Sequence, residues 1–583
     1  MDLNEIRKRF SPPKPQFSAA IDTSSSAQVS RPMISFSFIA ANVTKTFAVL
    51  LIVLPVLVTF SVIYHNPHSD HRISSPFVEA RVLDPKSSVV TWQSFEPLNA
   101  TTEHVEEADN KLLGGLLSSG FDEGSCLSRY QSFLYRKVSP FKPSTYLLSK
   151  LRKYEELHKR CGPGTQAYND AVKQLKSGSE TAVPTECNYV VWISYSGLGN
   201  RILTVSAAFL YALLSNRVLL IDPGTDMTDL FCEPFPSTSW FLPQDFPLNN
   251  QFKSFHQKSP RCHGFMLKKN LLNSSRDEEV PPYLYLHLGH DYNDQDKLFF
   301  CDDDQTLLGK VPWLVMRTDN YFAPSLYLIP SFEQELFKLF TEKVTIFHHL
   351  GRYLLHPTNQ VWGLITRYYN AYMARADERI GIQIRTFEEG AGPFPHVTDQ
   401  ILSCISKEKL LPEINKNDSS SSLSKNARAI AVLITSLDAG YCETLKELYW
   451  EHPTVTGEVV GFYQPSHEGF QQSHKMMHNR KAWAEMYLLS LNDKLVTSAW
   501  STFGYVAQGL GGLKPWILYK PEDKKTPDPA CVRAMSIEPC FHSPPFWDCK
   551  AKTGVDTGKL VPHVRHCEDI SWGLKVVDGH EEL

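Results

Sequence analysis

Apolar positions along the chain fall into short β-branched or aromatic runs that alternate with longer helical stretches. The sharpest instance is Tyr189–Asp222. Tyr189–Ser194 reads as a strand, Ser196–Asn200 as a glycine turn, Ile202–Leu214 as a helix apolar on nearly every face, and Val218–Ile221 as a second strand. That order predicts one parallel βαβ unit with its crossover helix buried against the sheet. Strands are also expected at Tyr283–Leu288 and Trp313–Met316, and helices at Ser144–His158, Phe332–Val344 and Asn359–Ala374. A second series follows, with strands at Arg379–Arg385, Ala429–Thr435, Val459–Tyr463 and Lys494–Thr497. Helices Tyr441–Trp450, His474–Leu491 and Thr502–Leu510 lie between and after them. Asp222–Pro281 is broken by Pro, Asn and Ser and reads as irregular, and Asn415–Asn426 as a solvated loop. Strands alternating with helices twice over predict an α/β fold of two doubly wound domains facing one another.

The pattern is different before the folded part. Residues 1–45 are polar, Ser/Pro-rich and basic, with no core-forming period, and read as a disordered cytoplasmic tail. Thr46–Tyr64 then runs 19 residues without a charge, about the length that crosses a bilayer. No small-residue cleavage site follows it, and the basic residues before it favour a cytoplasmic N-terminus. The expectation is a single-pass type II membrane protein, with a stem at 65–107, a first α/β domain at 108–375 and a second at 376–583 that ends in a Cys-rich extension. Asn99, Asn273 and Asn417 are glycosylation acceptors on the lumenal side, whereas Asn42 matches the same pattern on the cytoplasmic side. All 12 cysteines follow the apolar segment, as an oxidising compartment requires, and no CxxC occurs. Disulfides are expected, with the pairing of Cys531, Cys540, Cys549 and Cys567 left open. A net charge of −4 argues against a nucleic-acid-binding surface.

Five stretches carry candidate chemistry. Gly197-x-Gly199 with Asp222 at the next strand end resembles half a dinucleotide fingerprint, but Ile202 occupies the third glycine position and Asn200-Arg201 put an amide and a cation at the turn. Such a turn suits phosphate or sugar hydroxyls, although a plain strand-to-helix connection explains the glycines equally. Arg385 ends a strand at the carboxyl edge, where a guanidinium holds two phosphate oxygens at once, or else pairs with Glu388 or Glu389. Ser498, Ser501 and Thr502 lie between a strand and a helix start, as a phosphate cradle or as N-caps. Asp302-Asp303-Asp304 offers a DxD for Mn²⁺, against a solvated acidic turn, and His474 and His478 offer an i,i+4 zinc pair with no third ligand nearby. Asp319 follows a strand among aromatics, as a general base or as a turn cap.

Several stretches together resemble the plant cell-wall fucosyltransferase family, whose best-known members are the xyloglucan fucosyltransferases. They are Lys111–Lys137, SGLGNR at Ser196–Arg201, IGIQIR at Ile380–Arg385 and Lys481–Tyr519. The resemblance implies a GT-B-like variant with an acceptor-side domain and a GDP-fucose domain, held by a signal anchor in the Golgi membrane. It also implies metal-independent, inverting transfer from GDP-β-L-fucose to a sugar hydroxyl, with no cofactor. In that scheme Arg385 binds the pyrophosphate, Ser501, Thr502 and Phe503 contact donor phosphate or base, and Gly199, Asn200 and Arg201 face the donor from the other domain. Asp319 faces the acceptor, as base or as positioning group. The acceptor is either xyloglucan galactose or arabinogalactan-protein arabinose, and a homodimer stays open. Two rivals are a DxD metal-dependent transferase and a membrane-tethered carbohydrate-binding protein without turnover, the latter suggested only by the 12% aromatic content.

Overall fold

The four residues of β1 (Tyr189–Trp192) and of β2 (Val218–Ile221) are all buried, so both faces of these strands are covered and an alternating pattern never develops. Between them α2 (Leu198–Ser215) is buried along most of its length, and α1 (Thr145–Cys161) packs on β2. By length and composition α2 is also apolar enough to cross a bilayer, but here it is the crossover of the core. The computed structural model describes residues 111–272, 279–390, 392–416 and 427–579. The expected tail, membrane span and stem, and Asn99, Asn273 and Asn417, lie outside them.

β3 (Tyr283–Leu288) and β4 (Trp313–Thr318) complete a four-stranded, all-parallel sheet in the order β2-β1-β4-β3. Val191 sits opposite Leu220 on one side and Val315 on the other. The second sheet contains β5 (Glu378–Gln383), β6 (Ala429–Thr435), β7 (Val459–Tyr463), β8 (Lys494–Ser498), β9 (Trp516–Leu518) and β10 (Cys531–Arg533). Its order is β10-β9-β8-β5-β6-β7, parallel except for β10 at one edge. The parallel α/β architecture expected from the apolar pattern is therefore observed.

Three helices depart from the expected pattern. The acids at 302–304 open α3 (Asp302–Lys310), where negative charge at a helix start is favourable, so they are not a free turn. The helix expected at Phe332–Val344 stops at Leu339, and α4 (Ile346–Leu354) follows it. The histidines that make α4 look polar are buried, and burial pushes His349 down to about 3, so they pack as neutral rings. After α5 (Asn359–Tyr372), the stretch around Phe387–Asp399 runs into α6 (Pro395–Lys407), which starts with proline at its first position.

The last three helices used below are α7 (Gly440–Glu451), α8 (Met476–Leu489) and α9 (Thr502–Gly511). α8 packs on α5, and α9 packs on both α2 and α4. Trp483, Tyr487, Tyr505 and Leu510 thereby enter the same apolar core as β1 and α2. At the closest crossing a Cβ on Gly509 would stand 2.3 Å from the Phe347 ring, so only glycine admits the two helices at this separation.

The C-terminal segment, expected with the second domain, also makes contacts with the first. Cys301 is bonded to Cys549, the Tyr292 hydroxyl donates to the Ser543 carbonyl (2.7 Å), and the Val564–His566/Leu574–Val576 hairpin shares the core of β1. Of the four cysteines left open, Cys540 pairs with Cys567, whereas Cys531 pairs with Cys404 and Cys549 with Cys301. Cys126–Cys232 and Cys161–Cys187 complete the set among the described residues, and Cys262 and Cys442 are buried thiols.

Glu538 anchors this segment. It is wholly buried, accepts from the Tyr321 hydroxyl (2.7 Å) and the Phe347 amide (2.8 Å), and burial pushes its carboxyl up to about 8. The folded state therefore holds a proton that the unfolded chain releases at ordinary carboxylate pH, and stability falls as pH rises from about 5 to 8. Glu538→Gln should flatten that slope in thermal unfolding measured across this range. An unchanged slope would remove Glu538 from the linkage.

Candidate active site

Both sheets present their strand carboxyl ends, where open α/β folds bind ligands. In the first sheet β1 runs into Ser196, which adopts a left-handed φ of 73°, and then into Gly197, the N-cap of α2. Gly199, Asn200 and Arg201 form the first helical turn, one turn earlier than the pattern suggested. In the second sheet β8 runs into Trp500, also left-handed at φ 63°, and then into Ser501, the N-cap of α9. Two strand–turn–helix corners of the same construction thus meet: the Thr502 hydroxyl donates to the Asn200 side-chain carbonyl (2.9 Å), and Gly199 lies directly against Thr502. This brings Gly199, Asn200, Ser501 and Thr502 into one place, with Phe503 half-buried against the core behind them. Ser501 occupies the N-cap without a side-chain cap bond, and Thr502 spends its hydroxyl on Asn200, so neither caps α9 as the sequence allowed.

Arg385 follows β5 at the same edge. Its amide donates to the Ser498 hydroxyl (2.9 Å), its guanidinium lies over the Phe387 ring (5.4 Å), and one nitrogen reaches the Gln471 side chain at 3.4 Å. Glu388, the carboxylate weighed as its ion-pair partner, is bonded instead to His396 (2.6 Å). No described carboxylate pairs with Arg385, and burial lowers its pKa. A half-buried cation with no described carboxylate partner, tied through its amide to the end of the strand that leads into α9, is suited to holding an anion.

Arg201 has a different place from the one expected. Its guanidinium is buried and held bidentate by Asp226 (2.6 and 2.9 Å), and Asp226 also accepts from Asn479 of α8 (2.6 Å). The cation is spent on joining the two sheets' helices, and its contribution to the cleft is the shape of the turn. Asp222 is likewise engaged, accepting from the Ser194 and Gly224 amides.

Asp319 lies just past the end of β4, with 9% of its side chain exposed. One oxygen accepts from the His290 amide (2.9 Å) and the Asn320 amide group (2.7 Å), and the other meets His290 Nδ1 at 2.5 Å. The carboxylate is thus held by three donors, an arrangement that suits the positioning role weighed for it alongside that of base. His290 itself was not singled out by sequence, because a lone histidine after a strand carries no spacing signal.

Asp569 is the second group that the sequence did not reveal. Its side chain accepts from the Trp500 amide (2.9 Å) and the Tyr505 hydroxyl (2.6 Å), and its carbonyl from the Trp500 indole (2.7 Å), so it fixes the left-handed corner ahead of Ser501. His542 bonds the same Tyr505 hydroxyl (3.2 Å) and feels the charges of both Asp569 and Asp319. Phe387, Trp500 and Trp572 form an aromatic row along this wall.

The metal candidates do not converge. Asp302 accepts from the Ser331 amide, Asp304 is bonded to His263 (3.0 Å), and His478 is bonded by the Gln472 amide and lies near Glu468. Among the described residues, the one cluster with metal-like spacing is Cys540, Cys567 and Asp569, and its two sulfurs are joined in a disulfide.

Parallel sheets that bring a helix N-terminus, a glycine turn and an arginine with no carboxylate partner among the described residues to their carboxyl edges define an α/β protein with an edge suited to an anionic ligand. The chain belongs to the xyloglucan fucosyltransferase family, whose model matches residues 85–550, and it is a fucosyltransferase. It is 60% identical over 577 residues to a galactoside 2-alpha-L-fucosyltransferase of Arabidopsis thaliana, covering 99% of this chain and 100% of that one. It is 61% identical over 540 residues to the galactoside 2-alpha-L-fucosyltransferase of Pisum sativum, covering 92% of this chain and 93% of that one. The solved structure of a mutant of Arabidopsis thaliana FUT1 in complex with GDP superposes with a TM-score of 0.76 at 66% identity, covering 80% of this chain and 100% of that one.

The contact between the two corners is testable. A Cβ on Gly199 would lie 2.5 Å from the Thr502 hydroxyl oxygen and 3.1 Å from its backbone carbonyl carbon. Gly199→Ala should cost about 1–3 kcal/mol in denaturant unfolding, as other overpacked contacts do. It should also weaken GDP binding by calorimetry, and unaltered values in both would show that the corners tolerate separation.

Proposed function

We propose that the chain transfers L-fucose from GDP-β-L-fucose to the 2-hydroxyl of a galactose on a plant cell-wall polysaccharide such as xyloglucan, with inversion at the anomeric carbon. The observation that carries this reading is Arg385, a half-buried guanidinium with no carboxylate partner among the described residues, whose amide bonds Ser498 at the strand end that leads into α9. The diphosphate of GDP-fucose supplies the missing anion, and a planar guanidinium neutralises the charge that grows on departing GDP. The relative solved with GDP and the galactoside-specific names of the two plant relatives support the donor and the acceptor respectively.

In this scheme the fold is a GT-B-like variant in which the region before residue 376 faces the acceptor and the region after it holds GDP. Ser501, Thr502 and Phe503 line the donor side at phosphate or base, and Gly199 and Asn200 close the cleft from the first sheet, with Arg201 holding that turn in shape. The acceptor hydroxyl displaces GDP directly, and Asp319 works on the acceptor side. No metal ion takes part; in support, Asp302 and Asp304 are committed to the Ser331 amide and to His263. The enzyme is a type II Golgi membrane protein with its catalytic part in the lumen and glycans on Asn99, Asn273 and Asn417.

Arg385→Lys should lose most transfer activity and weaken GDP binding, because a point charge does not reproduce a bidentate clamp. Retention of parental rates would discard the clamp. Purified lumenal protein assayed with GDP-fucose should fucosylate galactose-terminated xyloglucan oligosaccharide in preference to arabinogalactan-protein glycan, and the reverse preference would reassign the acceptor. Transfer should survive a chelator; loss on chelation with recovery on Mn²⁺ would restore the DxD reading.

A further inference from the structure

The scheme above needs a group that accepts the proton of the attacking hydroxyl, and most ionisable side chains at this edge are already committed. Asp222 is taken by two backbone amides, Asp226 by Arg201 and Asn479, and Asp319 by three donors. One Asp569 oxygen holds Trp500 and Tyr505, and the other is buried. His542 is buried beside Tyr505, and burial lowers its pKa. His290 differs from all of these. Asp319 grips its amide and its Nδ1, yet 54% of its side chain is exposed, and no described residue bonds its Nε2.

The loop carrying His290 is tightly specified. A Cβ on Gly289 would stand 3.0 Å from an Asp291 carboxylate oxygen and 3.8 Å from one of Asp319, so the turn passes close to both carboxylates. Asp291 is tied back to His287 on β3 (2.9 Å). The imidazole is therefore oriented by a buried carboxylate on one nitrogen and open on the other, at the carboxyl edge of the first sheet. His542, which bonds the Tyr505 hydroxyl, is within electrostatic reach of both Asp319 and Asp569.

We propose that His290 is the general base of the transfer, its Nε2 taking the proton of the acceptor hydroxyl, and that Asp319 is the positioning residue that fixes the tautomer by accepting from Nδ1. The proton moves from the hydroxyl to Nε2 as the hydroxyl oxygen bonds to the anomeric carbon of fucose. The bond from that carbon to the β-phosphate oxygen breaks, and its electron pair leaves with GDP. The imidazolium that forms is stabilised by Asp319, and it returns its proton to solvent through the exposed face. The proposal rests on the reading of the chain as a GDP-fucose:hydroxyl transferase.

The charged groups facing the ring are Asp319 and Asp291, and the hydrogen bond that the ring donates to Asp319 is the main cause of a pKa raised above the ordinary histidine value. The base form is neutral, so transfer should rise with pH through the His290 pKa. The experiment uses the full lumenal protein with saturating GDP-fucose and galactose-terminated xyloglucan oligosaccharide, comparing the parent with His290→Ala, His290→Gln and Asp319→Asn. GDP binding is measured on each protein as a control for folding. Expected are a loss in turnover on the order of 10²-fold or more for both His290 variants, the size of general-base contributions elsewhere. GDP affinity should be unchanged, and added imidazole should partly restore His290→Ala. The acidic limb of the parent's pH profile should vanish in His290→Gln and move to lower pH in Asp319→Asn. Parental turnover and an unmoved acidic limb in the His290 variants would overturn the dyad while leaving the transferase reading intact. A parent that moves no fucose to any hydroxyl would overturn that reading first, and the dyad with it.

Discussion

The active edge depends on two helix N-termini being held against each other. α2 and α9 each begin with free amide N–H groups and the positive end of a helix dipole, an interaction with anions worth roughly 0.3–1 kcal/mol per helix at an exposed site. Bringing two such ends into contact at Gly199 and Thr502 is electrostatically unfavourable without a ligand. Elsewhere along the same interface the core holds them in place: Trp483, Tyr487, Tyr505 and Leu510 bury against α2, α4 and α5, and Asp226 bonds to both Arg201 and Asn479. Hydrophobic burial thus sustains a positive pole, and Arg385 adds a full charge to it. An anion bound at this edge would offset that repulsion.

The acidic groups are arranged in the opposite sense. Asp319, Asp569, Asp226 and Asp222 are each tied to donors around the edge, so their oxygens hold the cleft's walls in shape. Asp569 shows the principle well. It sits far along the chain from Trp500, yet it satisfies the Trp500 amide and indole together and so fixes a left-handed residue directly before the N-cap of α9. Ser196 stands in the same position before α2. Backbone conformations of this kind cost about 1–3 kcal/mol each and persist where surrounding contacts over-determine them.

Much of this was legible in the residues. Short buried strands alternating with helices predicted the parallel sheets, and the motifs at Ser196–Arg201, Ile380–Arg385 and Ser501–Phe503 marked three turns, two of which the fold joins through Thr502 and Asn200. What escaped has physical causes. The α4 histidines look polar because a one-letter code carries no burial, and the three acids of α3 look solvated because their helix follows rather than precedes them. The direction of Arg201 was hidden because its partner, Asp226, lies in a stretch without periodicity. His290 and Asp569 matter through the residues they meet in space, and no local pattern announces a contact across 29 or 69 positions.

The return of the C-terminal segment sets an order of events for the nascent chain. Cys301 waits for Cys549, Tyr321 for Glu538, and Trp500 for Asp569. The cleft therefore has no finished wall until nearly the whole sequence has been synthesised and the last loop has closed. A chain that ends before Glu538 has the strands and crossover helix of its first sheet but lacks the contacts of Glu538, Cys549 and Asp569. The Cys301–Cys549 bond, closed across 248 positions, is the covalent link between the first sheet's surroundings and the end of the chain.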